Sequence, residues 1–269
     1  MRNALTNCRR VVVKIGTSSL IHESGRVNLQ AIDRLAYALA AMSNAGSEVV
    51  LVTSGAIGVG LAAQHLTSRP AAIAEQQALA AIGQSSLMRL YGERFTDYGA
   101  SIAQLLLTHD VFDYPASRRH VLDTIDALLA RRVIPIINEN DSVATDELDH
   151  KTTFGDNDQL SALVATSIEA DLLIVLSDIE GLFDRNPKQH PNAALIPTVA
   201  APAELAQARA TGAGSRFGTG GMVTKLKAAS AMMAAGKQMV LCSGADPRIV
   251  LKVVAGADVG TWFGKEEAQ

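Results

Sequence analysis

Two lysines sit where their charge could do chemistry. Lys14 lies near the end of the apolar run Arg10–Ile15 and is followed by Gly16, Thr17, Ser18 and Ser19. An ammonium at a buried strand end is costly unless it meets an anion, and the glycine turn adds backbone and hydroxyl donors beside it. The segment suits a phosphate contact; it suits an ordinary strand–loop boundary equally. Lys225 closes the stretch TGAGSRFGTGGMVTK, residues 211–225, which carries five glycines between 212 and 221. That composition reads as a phosphate-gripping loop opening a helix, or as a flexible surface hairpin.

Other polar clusters follow other apolar runs. Thr53-Ser54-Gly55-Ala56-Ile57-Gly58-Val59-Gly60 places three glycines at the start of a helix, where backbone amides are free. It matches neither GxGxxG nor the P-loop, and glycines there also serve close packing. Asn138-Glu139-Asn140-Asp141-Ser142 follows directly on Val133–Ile137, and Gly155-Asp156-Asn157-Asp158-Gln159 comes soon after. Acids and amides crowded at a buried strand end need partners, as a pocket for a cationic or polyfunctional small molecule would supply. A solvated loop with Asp158 capping the next helix is the other reading. EF-hand spacing is absent. Ser177-Asp178-Ile179-Glu180-Gly181 offers a hydroxyl and a carboxylate, or a turn with Gly181 at positive φ.

All of these clusters must be held by a scaffold. Continuous Val/Ile/Leu runs at 10–15, 48–53, 101–107, 133–137, 171–176 and 237–242 read as strands buried on both faces. Helical patterns separate them: one capped by Asn28 and ending at Gly46, then 70–95, 115–131, 158–169, 221–235 and 247–255. This order predicts an α/β fold with an open, mostly parallel sheet and helices on both sides. Ligands then sit at the carboxyl ends of the strands, where the polar clusters fall. Residues 178–202 read as a long loop, no linker interrupts the chain, and 1–269 reads as a single domain with nothing after Gly264 but a short tail.

Composition narrows the function. The chain has 269 residues, 48% hydrophobic, with only six Phe, four Tyr and one Trp, so its core packs through small and branched aliphatics. A net charge of −3 leaves no basic footprint for nucleic acid or membrane. No apolar run reaches membrane length, and Val11–Val13 is too short for a signal peptide, so a cytoplasmic location is expected. Cys8 and Cys242 are isolated and the six histidines show no HxxxH pairing, so neither a disulfide framework nor a protein metal site is expected. Lysines, glycine turns and an acidic pocket on strand ends describe phosphoryl transfer, which asks mainly for positioning and charge neutralisation.

Lys14-Ile-Gly-Thr-Ser, Val52-Thr-Ser-Gly-Ala-Ile57, Ile137-Asn-Glu-Asn-Asp141, Gly155-Asp-Asn-Asp158 and Gly218-Thr-Gly-Gly-Met-Val-Thr-Lys225 occur in order. Together they resemble the glutamate 5-kinases of the amino acid kinase family, across almost the whole chain. The resemblance implies a three-layer αβα sandwich and ATP-dependent phosphorylation of the γ-carboxylate of L-glutamate, the first step of proline synthesis. It also implies Mg²⁺, feedback inhibition by L-proline, a homodimer or homotetramer, and transient contact with glutamyl phosphate reductase. By the same resemblance, Lys14 and Lys225 act on the transferring phosphoryl group and Asp158 orients both. Ser54, Asn138, Asp141, Asp156 and Asn157 line the glutamate pocket. Lys14, Gly16, Gly55, Ser177, Asp178 and Thr219, Gly220, Gly221, Met222, Val223, Thr224 and Lys225 face the nucleotide.

The two polar loops support that substrate on chemical grounds, because free glutamate brings an α-ammonium that wants carboxylates or amide oxygens, whereas N-acetylglutamate does not. The chain departs from the pattern twice: the PUA module that many glutamate 5-kinases carry is absent, and the loop 144–154, with Asp149-His150-Lys151, is longer than usual. Another family member, such as an acetylglutamate or aspartate kinase, is the first alternative. A non-catalytic ATP- or amino-acid-binding module is the second, though a pure binder has no evident need for paired lysines. A Rossmann dehydrogenase fits the element order but lacks the fingerprint.

Overall fold

The computed structural model describes residues 2–144, 157–187, 189–201 and 221–265. Of the loop expected at 144–154 all but Ala144, and of the glycine-rich stretch 211–225 the residues up to 220, lie outside the described residues. Among the described residues eight strands form one sheet: β1 (Arg10–Ile15), β2 (Glu48–Thr53), β3 (Ser101–Leu107), β4 (Val133–Glu139), β5 (Leu172–Ser177), β6 (Thr198–Val199), β7 (Gln238–Ser243) and β8 (Thr261–Phe263). Their order is β3-β4-β2-β1-β5-β7-β8-β6. Every pairing is parallel except β7 with β8. The expected open, mostly parallel sheet is therefore present. Its centre is β1, paired to β2 from Arg10↔Glu48 through Ile15↔Thr53 and to β5 from Val11↔Leu172 through Ile15↔Leu176.

The helices are α1 (Asn3–Thr6), α2 (Thr17–Leu20), α3 (Leu29–Asn44), α4 (Ala56–Ala63), α5 (Ile73–Asp97), α6 (Pro115–Ala130), α7 (Asn157–Ser167), α8 (Gly221–Ala234) and α9 (Ile249–Val254). Asn28 caps α3 as its sequence position indicates: its Oδ1 accepts from Ala31 N at 3.1 Å. Two cores sandwich the sheet. One packs Val11, Val13 and Ile15 of β1 against Ile32, Leu35 and Leu39 of α3 and Leu87, Tyr91 and Phe95 of α5. The other packs Val12, Val50 and Val52 against Ile125 of α6, Leu160 and Val164 of α7, and Leu226 and Met232 of α8. Strand side chains alternate faces, so Lys14 shares the face of Val12 and emerges under α7 and α8.

Three of the glycines after β2 divide their work. Gly55 caps α4 at φ +98°, a conformation that a side chain resists. Gly58 and Gly60 serve packing. A Cβ on Gly58 would press on Ile21 Cγ1 at 2.9 Å, and one on Gly60 would meet the Leu79 carbonyl. Gly83 of α5 returns the contact, since its Cβ would collide with Ala56 O and Gly60 N. Helices α4 and α5 therefore touch backbone to backbone.

Several elements exceed what the residue pattern conveys. The loop read over 178–202 holds a short antiparallel bridge, Phe183↔Leu195, and ends in β6. Gly181 is not at positive φ; its missing side chain makes room for Thr261, whose Oγ1 would sit 2.7 Å from a Cβ there. Both cysteines are free, and burial pushes the Cys8 thiol up to about 11 and the Cys242 thiol to about 12. Among the described residues no helix is long and apolar enough to cross a membrane.

The α4–α5 contact makes a paired prediction. Gly83→Ala forces two backbones apart and should cost about 1–3 kcal/mol. Gly92→Ala lies on the same helix, where a Cβ meets only Ile102 at 4.0 Å. It should instead be neutral or stabilise by about 0.5–1 kcal/mol, the helix-propensity gain. Urea denaturation of the two variants side by side checks this.

Candidate active site

Five strands, β1, β2, β4, β5 and β7, run parallel and end on the same edge of the sheet, where their loops meet. α7 starts over that edge. Asn157 and Asp158, its first two residues, are both buried. A carboxylate in the first turn of a helix is favoured by the unpaired backbone N–H groups there.

Asp158 is fully buried and receives two ammonium groups, one on each oxygen. Lys14 Nζ lies 2.5 Å from Oδ1, and Lys225 Nζ lies 2.9 Å from Oδ2. Lys14 comes from the end of β1 and is buried except for a few per cent of its surface. Lys225 sits one turn into α8 and also donates to Gly221 O at 3.1 Å. Ser161 Oγ donates to Asp158 O at 2.7 Å, fixing the helix start. Gly16 stands beside Lys14 Nζ at 3.6 Å from where its Cβ would be, and Gly221 beside Lys225 Nζ at 3.8 Å. A Cβ at either position would make an ordinary van der Waals contact with an ammonium.

Asn157 organises the neighbouring half of the site. Its Nδ2 lies within hydrogen-bonding distance of Thr53 O at 2.9 Å, Ser54 Oγ at 2.7 Å and Asn138 Oδ1 at 3.1 Å. Oxygens on that side fix the amide orientation, because a carbonyl oxygen turned there would face other oxygens. Asn157 Oδ1 thereby points elsewhere, and it is buried without a hydrogen-bond partner among the described residues. Asn138 in turn donates from Nδ2 to Gln84 Oε1 at 2.9 Å, and its Oδ1 accepts from Glu139 N at 3.0 Å. Thr53 Oγ1 is 2.8 Å from Tyr91 OH, so α5 braces the end of β2 as well. Burial pushes the Tyr91 phenol well above its ordinary value, so it stays a neutral hydrogen-bonding group.

The remaining sequence candidates divide. Asp141 lies in the turn after β4 and lines a cavity of about 410 Å³ with Gln84, Ser85, Gln104 and Glu139. Ser177 Oγ donates to Asp178 Oδ1 at 3.1 Å, and Ser177 O accepts from Gly244 N at 2.7 Å. A Cβ on Gly244 would collide with Ser19 Oγ, so the turn after β1 and the turn after β7 are close neighbours. Thr224 turns inward: its Oγ1 is 3.0 Å from Gly221 O and 3.4 Å from Asp158 Oδ2. Met222 packs on the α7–α8 core, and Val223 occupies the exposed side of the same turn only in part. Asp156, Thr219 and Gly220 lie outside the described residues.

The residues that sequence reasoning missed are Gln84 and Tyr91. Their signal is present but quiet: each is a hydrogen-bonding side chain set in the buried stripe of α5 with Leu79, Ala80, Leu87 and Phe95.

The amino acid kinase family model matches residues 9–243. The glutamate 5-kinase of Lactiplantibacillus plantarum is 57% identical over 95% of this chain and 97% of its own length. That of Enterococcus faecalis is 51% identical over 98% and 97%, and that of Listeria monocytogenes serovar 1/2a is 48% identical over 100% and 98%. Among solved structures, the isopentenyl phosphate kinase of T. acidophilum in a product complex matches with a TM-score of 0.62 at 13% identity, covering 94% of this chain and 99% of that one. N-acetylglutamate synthase from Neisseria gonorrhoeae, complexed with coenzyme A and N-acetyl-glutamate, gives 0.68 at 16% identity, over 99% of this chain and 62% of that one. The two structural likenesses speak to the three-layer fold alone. With its fold, its strand-end site and a family match over most of its length, the chain belongs to the amino acid kinase family.

Proposed function

We propose that the protein transfers the terminal phosphoryl group of ATP to the γ-carboxylate of L-glutamate, yielding L-glutamyl 5-phosphate and ADP, the first step of proline biosynthesis. The observation that carries this reading is identity of 46–57% to glutamate 5-kinases over nearly the whole chain. The site chemistry agrees with it. Phosphoryl transfer between a nucleotide and a carboxylate brings two anions together, and its transition state spreads negative charge over the transferring oxygens. Lys14 and Lys225 meet that charge as compact ammonium groups, and Asp158 holds them apart and in place.

Glutamate binds through Ser54, Asn138, Asp141, Asp156 and Asn157. The buried Asn157 Oδ1, a fixed acceptor without a donor among the described residues, suits the α-ammonium of a free amino acid. ATP lies along Gly16, Gly55, Ser177, Asp178 and the segment 219–225. Among the described residues no three His, Cys, Asp or Glu side chains converge as a metal cage. A Mg²⁺ would be held through the ATP phosphates and water, where it would neutralise phosphate charge. Residues 1–269 act as one kinase domain in the cytoplasm, as a homodimer or homotetramer. L-Proline inhibits at the glutamate pocket, and the reductase that consumes the labile acyl phosphate makes transient contact.

Trapping the acyl phosphate with hydroxylamine tests the reading. Hydroxamate is expected from L-glutamate and not from N-acetylglutamate or L-aspartate, with loss on chelation and on adding proline. Product from N-acetylglutamate alone would reassign the substrate. Lys14→Ala and Lys225→Ala should each lower kcat by about 10³, measured in the same assay. Asp141→Ala should chiefly raise the KM for glutamate, leaving that for ATP near its starting value. Asp158→Asn leaves two buried ammonium groups without their shared anion and should cost about 3–5 kcal/mol in urea unfolding. Adding Lys14→Met to it should recover part of that loss.

A further inference from the structure

Gln84 is a polar residue where the pattern of α5 calls for an apolar one. It is 8% exposed, flanked in the buried stripe by Leu79, Ala80, Gly83 and Leu87. Its Oε1 accepts the Asn138 Nδ2 hydrogen at 2.9 Å. The opposite end of the Asn138 amide, Oδ1, accepts from Glu139 N at 3.0 Å and Asn157 Nδ2 at 3.1 Å. The amide of Asn138 is thus held by an acceptor on one side and donors on the other. Turning it over would set donors against donors and oxygen against oxygen. Without Gln84 Oε1, Asn138 Nδ2 would be buried with no acceptor among the described residues, and the side chain would gain by rotating toward another one. Rotation would release Asn157 Nδ2 and with it the direction of Asn157 Oδ1. The position of Gln84 is set by its neighbour, because Gly83 is pressed against Ala56 O and Gly60 N.

We propose that Gln84 is a positioning residue for the amino-acid acceptor: acting through Asn138, it sets the direction of the Asn157 amide and so the affinity for the amino acid, apart from phosphoryl transfer itself. The proposal rests on the reading that Asn138 and Asn157 line the glutamate pocket.

The test is steady-state kinetics of the full chain, varying glutamate and ATP separately, for Gln84→Met, Gln84→Glu and Asn138→Ala. Gln84→Met keeps the shape and removes the acceptor; the KM for glutamate should rise about tenfold, with that for ATP holding within about twofold. Gln84→Glu retains an acceptor for Asn138 Nδ2 and should stay within about threefold of the parent. Combining Gln84→Met with Asn138→Ala should raise the KM no further than Asn138→Ala alone, the mark of one residue working through the other. Where Gln84→Met gives too little folded protein, Gln84→Asn, an amide one methylene too short, carries the same expectation. Equal losses in the Met and Glu variants, a parallel rise in the KM for ATP, or additive effects would overturn the proposal. Normal KM in Gln84→Met beside a raised KM in Asn138→Ala would refute it alone. An unshifted KM in Asn138→Ala would refute the pocket assignment and the proposal with it.

Discussion

Two like charges share one counter-ion at the heart of this protein. Lys14 and Lys225 come from opposite ends of the chain, and left to themselves in a buried place their ammonium groups would repel. Asp158, fully buried, gives each of them one oxygen. For that to happen the central strand, the helix that crosses it and the helix before β7 must meet at one point. The parallel sheet brings β1 to the middle, strand alternation turns Lys14 to the α7–α8 side, and packing of Leu160, Val164, Leu226 and Met232 closes those helices onto it. Much of the fold can be understood as what is needed to bring three charged groups together out of water.

The residue next door does a separate job. Successive residues of a helix diverge by about 100°. Asn157 and Asp158 therefore face different directions from the same turn. Asp158 orders the cations, while Asn157 ties together the ends of β2 and β4 through Thr53, Ser54 and Asn138. The lysine half and the amide half of the site are thus registered against each other by one peptide bond at the start of α7. Sliding or fraying that turn would disturb both halves at once, and Ser161 Oγ on Asp158 O secures it.

Six of the eight strands, the long helices and the Asn28 cap were legible in the sequence because continuous aliphatic runs and capping residues have local causes. β6 and β8 were not: two and three residues carry no periodicity, and their pairing depends on contacts across the sheet edge. The lysines stood out by being charged beside apolar runs, but no local feature of Arg10–Ile15 says which face of the sheet Lys14 takes. That follows only once α7 is known to cover the side of Val12. Gly58 and Gly60 looked the same as Gly55 on the page, yet packing holds two of them and a positive φ the third. Gln84 and Tyr91 escaped notice because their roles lie in partners more than thirty residues away, and a helical stripe records burial without recording bonds.

The backbone contact between α4 and α5 fixes a length inside the site. Side-chain packing can be loosened or tightened by exchanging one aliphatic for another, so walls built that way drift as sequences diverge. Where Gly60 and Gly83 let the carbonyls of Leu79 and Ala56 approach, the separation is set by main-chain atoms, which no substitution can make smaller. The wall carrying Gln84 is therefore held at a fixed distance from the end of β2, like a gauge block. Any widening of the adjoining cavity would have to come elsewhere, in the turn after β4 where Asp141 stands, and leave that wall alone.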